Sequence, residues 1–282
     1  MRAHLVQLDI AWEDPVENFS RTDRLLDTAD IEPGDLVVLP ELFSVGFSLN
    51  TETTADKGGQ TLRYLLRLAD DLGVTIQGGR CVHDCDCALA INEATIVAPG
   101  SDHDDADARL IAQYAKLHPF TAGREPERFS PGDRVHTYDW QSQGGSLRVC
   151  PGICYDLRFP ELFRQGLAMG AEVFALGANW PSPRHAHWRA LLIARAIENQ
   201  ALVLGVNRVG SDPHLNYLGG TIAVGAQGEV LGELGAEPGV LSVQVDPGAI
   251  RGWREAFPAW KDTHPDLVRS SPRLPTNNAK TR

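Results

Sequence analysis

The sequence predicts an α/β fold in a single layered domain, and three observations support this. Strand and helix patterns alternate along the chain, which is typical of α/β proteins. The alternation is not interrupted by a linker rich in Gly, Ser or Pro, and 282 residues are enough to bury a large core. We therefore predict one domain at residues 1–265. A polar tail at residues 266–282 follows, either disordered or packed on a partner subunit.

The first half of the chain begins with a strand and a well-marked helix. Asp14 is a suitable N-cap and Pro15 fits the first helical position, so a helix is expected to run to about residue 29. Apolar residues recur at helical spacing from Leu62 to Leu72, and Gly73 ends that helix. Strands are predicted at residues 3–7, 36–39, 74–77, 88–97 and 110–116.

The second half repeats the same alternation. A strand at residues 147–150 leads to a helix from about Pro160 to Met169, and Gly170 stops that helix. A second helix is expected at residues 186–199. Further strands are predicted at residues 173–176, 202–206, 221–224, 230–234 and 240–245.

Composition excludes several classes of partner. The chain has 26 Lys plus Arg against 37 Asp plus Glu, a net charge of -11, which argues against nucleic acid or an anionic membrane. Apolar runs are all shorter than the ~18 residues of a membrane span. The N-terminus lacks a signal-peptide core, so we predict a cytoplasmic location. Five cysteines, an odd number, favour free thiols over a disulfide framework.

Three polar residues that follow predicted strands could together hydrolyse an amide. Glu41 follows the strand at 36–39, Lys116 ends the strand at 110–116, and Cys154 lies just beyond the strand at 147–150. A cysteine on a strand-to-helix turn is held up to solvent, with the next backbone N–H groups free to receive an oxyanion. A carboxylate, an amine and a thiol suffice for covalent amide hydrolysis.

The roles of these residues follow from their ordinary chemistry. Because a free cysteine has a pKa of ~8.5, Cys154 needs a base. Glu41 would accept the thiol proton and return a proton to the departing amine, more effectively if burial raised its pKa. Lys116 would lower the thiol pKa and hold the oxyanion together with the N–H after Cys154. Attack would give a thioester and ammonia, and water activated by Glu41 would then free the acid.

Two alternatives use other residues. His118 lies two residues from Lys116 on a predicted strand, hence on the same face, and could form a Cys–His dyad. A non-enzymatic soft-metal site could instead be built on one short segment, because that segment holds Cys81, His83, Cys85 and Cys87. This spacing fits no usual zinc pattern and no second Cys/His cluster completes four ligands, so a solvated turn is favoured there.

The segments that carry Glu41, Lys116 and Cys154 resemble those of the nitrilase superfamily of carbon–nitrogen hydrolases. They are residues 39–41, 114–118 and 149–161. A further set of segments is similar to the omega-amidase branch: residues 42–47, 118–123, 128–132, 178–184 and 194–200. The resemblance extends from Met1 to about Val245, nearly the whole chain.

This resemblance implies a four-layer α-β-β-α sandwich that pairs as a homodimer and needs no metal or organic cofactor. It implies a second catalytic-site glutamate shortly after the lysine. Glu127, four residues before Pro131, matches that position, and Glu125 is its near neighbour. The implied substrate is the terminal amide of a short dicarboxylic monoamide such as 2-oxoglutaramate or succinamate. An N-carbamoyl amino acid, deaminated glutathione or a nitrile is the alternative substrate for the same mechanism.

A bound dicarboxylic monoamide would need a partner for its far carboxylate, because an unpaired buried carboxylate is costly. Three arginines are candidates by type: Arg184, Arg195 and Arg208. Arg158 is expected to make a structural ion pair instead. The remaining residues predicted to bind substrate are Phe43, Phe120, Tyr155, Asn179 and Trp180, of which the aromatic ones could equally be core residues.

Overall fold

Two six-stranded sheets form the centre of the molecule. The structure is a computed structural model that describes residues 1–83, 89–100 and 107–264. In spatial order, the first sheet contains β14 (Gly239–Gln244), β1 (Arg2–Gln7), β2 (Leu36–Val38), β3 (Thr75–Val82), β4 (Ile91–Ala98) and β5 (Arg109–Ala115). The second contains β13 (Val230–Glu233), β12 (Ile222–Val224), β9 (Leu202–Asn207), β8 (Val173–Ala178), β7 (Gly145–Ile153) and β6 (Tyr138–Ser142).

The remaining elements lie around these sheets. A separate two-stranded hairpin is made by β10 (Val209–Ser211) and β11 (Asn216–Leu218). The helices are α1 (Pro15–Leu26), α2 (Thr51–Thr54), α3 (Gln60–Leu72), α4 (Pro160–Ala168), α5 (His185–Asn199) and α6 (Pro247–Ala256). None of the helices in the described ranges is both long and apolar enough to cross a membrane.

Three apolar clusters give the order of the layers. Side chains from both sheets, such as Leu5 and Val38 from the first and Val173 and Leu204 from the second, share one buried cluster. A second cluster joins the outer face of the first sheet to α1 and α3, and a third joins the outer face of the second sheet to α4 and α5. The predicted four-layer α-β-β-α sandwich is therefore confirmed.

The parallel strands of each sheet end at the same side of the molecule. In the first sheet β1, β2 and β3 are parallel neighbours, and in the second β7, β8 and β9 are. Polar residues that directly follow such strands meet where the two sheets face each other. Glu41 comes shortly after β2, Cys154 directly after β7 and Asn179 directly after β8. The sandwich thus positions all three for one site.

Local sequence signals explain two of the helices. The Asp14 side chain accepts a hydrogen bond from the Glu17 N–H, and Pro15 occupies the first turn of α1, as predicted. Helix α3 ends at Gly73, whose φ of 66° is the left-handed conformation that glycine adopts without strain. Sequence analysis did not predict α2, α6, β6 or the β10–β11 hairpin. The proposed tail at residues 266–282 lies outside the described residues.

Two glycines let the backbone of Glu41 lie between the sheets. A Cβ on Gly79 of β3 would lie 2.3 Å from the backbone nitrogen of Leu42. A Cβ on Gly177 of β8 would lie 2.6 Å from the carbonyl oxygen of Leu39 and 2.9 Å from the nitrogen of Glu41. No side chain larger than hydrogen fits at these positions unless the backbone around Glu41 moves.

Gly177→Ala is therefore expected to lower the free energy of unfolding by about 1–3 kcal/mol, the usual cost of overpacking a filled core. Urea unfolding followed by circular dichroism measures this change. Gly252→Ala is the matched control, because its Cβ meets no atom within 4 Å and alanine is the better residue inside α6. If both variants unfold like the wild type, the close approach at Gly177 does not constrain the fold.

Candidate active site

Cys154 stands at the turn that follows β7. The strand ends at Ile153, a 3-10 turn spans Cys154–Arg158, and α4 begins at Pro160. The φ of Cys154 is 46°, in the left-handed region that a side chain adopts only under strain. The cysteine is thus on a strand-to-helix turn, as the sequence predicts, and the structure adds that its backbone is strained. Such turns present a nucleophile at the edge of a sheet.

Asp156 fixes this turn to the rest of the site. Its carboxylate accepts hydrogen bonds from the Ile153 N–H at 3.0 Å and from the Tyr114 hydroxyl at 2.7 Å. It also contacts the His118 backbone N–H at 3.0 Å and the His118 Nδ1 at 2.8 Å. The His118 ring stacks on Phe159 with centroids 3.8 Å apart. These contacts occupy the histidine, so the alternative Cys154–His118 dyad gains no support.

The Lys116 ammonium lies between two buried carboxylates. Its Nζ is 2.7 Å from Oε1 of Glu41 and 2.8 Å from Oε2 of Glu125. All three side chains are at most 1% exposed. Lys116 follows β5, and its backbone N–H donates to the carbonyl of Asn92 on the neighbouring strand β4. The ammonium is therefore fixed both by its backbone and by its two anionic partners.

The second glutamate of the site is Glu125, and the prediction of Glu127 is wrong. The Glu127 side chain is 53% exposed and pairs with Arg124 at 2.7 Å. Both glutamates belong to one 3-10 turn, Glu125–Glu127, in which residues two apart point in different directions. Glu125 points inward to Lys116 and Glu127 points to solvent. The pattern Glu-Pro-Glu alone does not say which of the two turns inward.

Glu41 is surrounded by hydrogen-bond donors. Besides Lys116, its carboxylate accepts from Nδ2 of Asn92 at 2.8 Å and from the backbone N–H of Asn179 at 2.9 Å. Burial by itself would raise the pKa of Glu41, but the Lys116 ammonium and these donors outweigh burial and leave that pKa below its ordinary value. Glu41 is thus ionised at neutral pH. Burial does not supply the raised pKa that would have made it a stronger proton acceptor.

The thiol is held in its neutral form. Burial, followed by the nearby Glu41 carboxylate, raises the pKa of Cys154 well above its ordinary value. Lys116 lowers the thiol pKa, as expected, but by less than these two effects raise it. The pKa of Lys116 is itself raised, because Glu125 and Glu41 outweigh burial. The resting site therefore contains a thiol, an ammonium and a carboxylate rather than a thiolate.

A cavity of about 410 Å³ opens onto Cys154 and Lys116. Most of the residues predicted to bind substrate line it: Phe120, Tyr155, Asn179, Trp180 and Arg184. Phe43 does not, and this prediction is wrong. It is fully buried on the helix side of the first sheet, where its ring contacts Phe19 and Tyr64.

The arginines divide into pocket residues and buried structural residues. Arg195 donates to the carbonyl of Leu157 at 2.8 Å, and the fully buried Arg208 donates to the carbonyls of Ile10 and Val209. Neither lines the cavity, so two of the three candidates for carboxylate binding are excluded. Arg184 does line it, with its guanidinium 5.3 Å from the centre of the Phe120 ring.

Arg158 also lines the cavity, contrary to its expected structural ion pair. Its guanidinium lies 4.8 Å from the centre of the Trp180 ring and 5.8 Å from that of Tyr155. Within residues 1–83, 89–100 and 107–264, neither Arg158 nor Arg184 has a carboxylate within 4.0 Å. Two cationic groups are thus available to an anionic ligand.

Several residues of the site escaped sequence analysis. Asn92 lies in strand β4, which also contains Glu93 and Thr95, so its polar side chain did not mark it as a site residue. The cavity is also lined by residues from three loops or turns and from strand β11, which no spacing rule connects: Trp12, Phe47, Leu49, Asp212, His214 and Tyr217. These residues come together only through the tertiary fold.

The metal-site hypothesis rests largely on residues that the structure leaves out. Cys85 and Cys87 lie outside the described residues. Cys81 is buried in an apolar cluster with Leu42 and Phe129, and burial raises its thiol pKa to about 12. Cys81 thus behaves as a small core residue.

The fold and this site define a carbon–nitrogen hydrolase of the nitrilase type. The chain belongs to the carbon-nitrogen hydrolase family, whose sequence profile matches residues 2–255. The resemblance to the nitrilase superfamily is confirmed, and so is the prediction of an amide-hydrolysing enzyme. This assignment replaces the non-enzymatic metal-binding alternative.

Two relatives in sequence make the similarity more specific. The chain is 32% identical over 264 residues to the 2-oxoglutaramate amidase of Bacillus subtilis, covering 93% of this chain and 97% of that protein. It is 31% identical over 264 residues to the omega-amidase YafV of Escherichia coli K12, covering 93% and 96%.

Solved structures show the same fold. XC1258 from Xanthomonas campestris, described as a CN-hydrolase superfamily protein with an arsenic adduct in its active site, superposes with a TM-score of 0.83 at 31% identity. The alignment covers 94% of this chain and 97% of that one. An amidase from Nesterenkonia sp. gives a TM-score of 0.75 at 26% identity, covering 95% of each chain.

Glu125 and Glu127 form a matched pair for testing the site. Glu125→Gln is expected to lower the rate of amide hydrolysis by about 10²-fold or more, because it removes one of the two anions that orient Lys116. Glu127→Gln breaks only an exposed ion pair and is expected to change the rate by less than about twofold. Initial rates of ammonia release measure both. Equal effects of the two substitutions would contradict the assignment of Glu125.

Proposed function

We propose that this enzyme hydrolyses the terminal amide of a short dicarboxylic monoamide, of the 2-oxoglutaramate or succinamate type, through a thioester on Cys154. The observation that carries the proposal is a single cavity that combines nucleophile, ammonium and guanidinium groups. Cys154 and Lys116 line it together with Arg158 and Arg184, which have no carboxylate within 4.0 Å among the described residues. The names of the relatives from Bacillus subtilis and Escherichia coli support this substrate class.

The first step would be attack of the thiol on the amide carbon. Glu41 takes the proton of Cys154 as the carbon–sulfur bond forms, and the carbonyl oxygen becomes an oxyanion. An ammonium has three N–H donors, and two of those of Lys116 point to Glu41 and Glu125, the latter donor being shared between Oε2 at 2.8 Å and Oε1 at 3.1 Å. The third, together with the N–H of Tyr155, is available to the oxyanion. At ~4 Å and an effective dielectric of ~20, one such charge pair interacts by ~4 kcal/mol.

The tetrahedral intermediate would then collapse to a thioester, which water would hydrolyse. The carbon–nitrogen bond breaks as Glu41 returns the proton to the leaving nitrogen, and ammonia departs, leaving a thioester on Cys154. A water molecule that loses its proton to Glu41 attacks the thioester carbon. The carbon–sulfur bond breaks, the sulfur recovers a proton, and the carboxylic acid leaves. Glu41 is therefore required in both halves of the reaction.

The far carboxylate of the substrate would bind to Arg158 and Arg184 in the cavity. Their guanidinium groups rest over aromatic rings, which restricts their motion. Nη2 of Arg158 also lies 3.3 Å from Nδ1 of His187, a contact that involves no carboxylate. A hydrogen bond between charged partners is typically worth about 1.5–3 kcal/mol. Such contacts would favour a monoamide that carries a carboxylate over a neutral amide of equal length.

Cys154→Ala tests the mechanism directly. Wild-type protein is expected to release ammonia from 2-oxoglutaramate and succinamate, whereas Cys154→Ala should show no release above the uncatalysed background, because no thioester can form. Enzymatic detection of ammonia measures both. Turnover that survives in the variant would refute the mechanism. Activity confined to N-carbamoyl amino acids, deaminated glutathione or nitriles would refute the proposed substrate class.

Arg158→Gln and Arg184→Gln test the carboxylate end. Each is expected to raise KM for succinamate by about tenfold or more, since a charged hydrogen bond of about 1.5–3 kcal/mol is lost. KM for butyramide, a neutral amide of the same length, should stay unchanged. Arg124→Gln is the control, because Arg124 lines the same cavity but already pairs with Glu127. A loss that is equal for both substrates would show that the arginines do not bind the carboxylate.

Homodimer formation and a cytoplasmic location stay predictions from the sequence. The resemblance to the nitrilase superfamily supports the homodimer. Light scattering on the purified protein would test the dimer by its molar mass.

A further inference from the structure

Asn92 stands between the two carboxylates of the site. It belongs to β4 and its side chain is buried. Its Nδ2 donates to Oε1 of Glu41 and to Oε1 of Glu125, each at 2.8 Å. An amide nitrogen carries two hydrogens in a fixed plane, so each carboxylate receives one of them. Asn92 does not line the cavity, and so any effect on substrate must act through Glu41, Glu125 or Lys116.

The same two oxygen atoms also receive the lysine. Nζ of Lys116 lies 2.7 Å from Oε1 of Glu41 and 3.1 Å from Oε1 of Glu125. A closed ring of four hydrogen bonds thus joins Nζ of Lys116, Nδ2 of Asn92 and the Oε1 atoms of Glu41 and Glu125. Donors and acceptors alternate around this ring, which keeps the carboxylates apart while each faces two donors. The backbone carbonyl oxygen of Asn92 also accepts a hydrogen bond from the backbone N–H of Lys116 at 2.9 Å.

Two buried carboxylates that share one ammonium would carry an excess negative charge. Like charges at close range favour protonation of one carboxylate, and burial favours it further. A donor to the ionised form opposes both effects. Asn92 supplies such a donor without adding a charge, which a second lysine or an arginine could not do.

We propose that Asn92 is a positioning residue that holds Glu41 ionised and oriented toward Cys154. The proposal rests on Glu41 as the general base of the proposed function. It adds that the base depends on a neutral amide from the neighbouring strand β4 as well as on Lys116.

The other titratable and polar groups that face Glu41 lie on four further segments of the chain. Lys116 follows β5, Glu125 lies on the 3-10 turn, and Cys154 follows β7. Asn179 follows β8 and donates to Glu41 but does not titrate. Removing the Asn92 donor leaves all of these in place. The pKa of Glu41 should then rise, because its ionised form has lost one hydrogen bond. Activity that requires ionised Glu41 is consequently lost at a higher pH than in the wild type.

The test compares Asn92→Leu, which keeps the approximate shape without the donor, with Asn92→Ser, which keeps a shorter donor. The pH dependence of kcat/KM is measured for both variants and for the wild type from about pH 3 to 9 on the best amide substrate, so that the acid limb set by Glu41 falls within the range. The acid limb of Asn92→Leu should move upward by about one pH unit, a tenfold loss at the acid end, with KM changed by less than about twofold. Asn92→Ser should show a smaller shift.

Gln77→Leu is the matched control. Gln77 is a buried amide whose Nε2 donates to the carbonyl of Ala175, away from both carboxylates. It should lower the thermal unfolding temperature without moving the acid limb. The proposal is overturned if Asn92→Leu folds and loses activity equally at all pH values, or keeps the wild-type profile. It is also overturned if both Asn92 variants fail to fold while Gln77→Leu folds, since Asn92 would then be purely structural.

Alkylation of Cys154 by iodoacetamide separates this proposal from the proposed function. The alkylation rate also rises with pH as Glu41 becomes ionised and able to accept the thiol proton, but alkylation requires no amide turnover. Cys154→Ala gives the background from other cysteines. If the wild type is inactive on dicarboxylic monoamides, the substrate proposal fails. The alkylation profiles of wild type and Asn92→Leu still decide the role of Asn92: an upward shift of the acid limb supports it, and coinciding profiles reject it.

Discussion

The site depends on one buried ammonium, that of Lys116, held between the carboxylates of Glu41 and Glu125. Removing three charges from water costs several kcal/mol per ion, and their attraction offsets this cost only with good geometry and additional hydrogen bonds. The structure provides both, with contacts of 2.7 and 2.8 Å and further donors from Asn92 and Asn179. Every element that supplies such a donor is therefore constrained in position by this ion cluster.

Those elements come from both sheets, so the site forms only when the sandwich is packed. Glu41 follows β2 of the first sheet, whereas Asn179, which donates to the side chain and the backbone carbonyl of Glu41, follows β8 of the second. Gly79 and Gly177 admit the Glu41 backbone from opposite sides. Core packing and the ionisation of the Glu41 carboxylate are thus consequences of the same contact between sheets.

The sequence was sufficient to predict a structural feature where a single residue marks that feature locally. Asp14 and Pro15 mark the start of α1, and Cys154 follows its strand directly. It was insufficient to predict the direction of a side chain that depends on tertiary structure. Glu125 and Glu127 share one turn but point in different directions. Phe43 lies only two residues from Glu41, yet it packs toward α3. Arg208 has the right chemistry for a carboxylate, but backbone carbonyls bind it. The start of α6 is also marked locally, by an Asp-Pro pair like that of α1.

The charge distribution of the cavity also explains how an anionic substrate would be oriented. Glu41, Glu125 and Lys116 together carry a net negative charge, so a thiolate at Cys154 would add a second one in a buried place, and its pKa is raised accordingly. In the proposed reaction, a substrate carboxylate would be repelled by these negative charges and attracted to Arg158 and Arg184. Its neutral amide would then be the group left facing the sulfur. Negative charge would appear at the reaction centre only as the oxyanion forms beside Lys116, where the ammonium would stabilise it more than it stabilises the ground state.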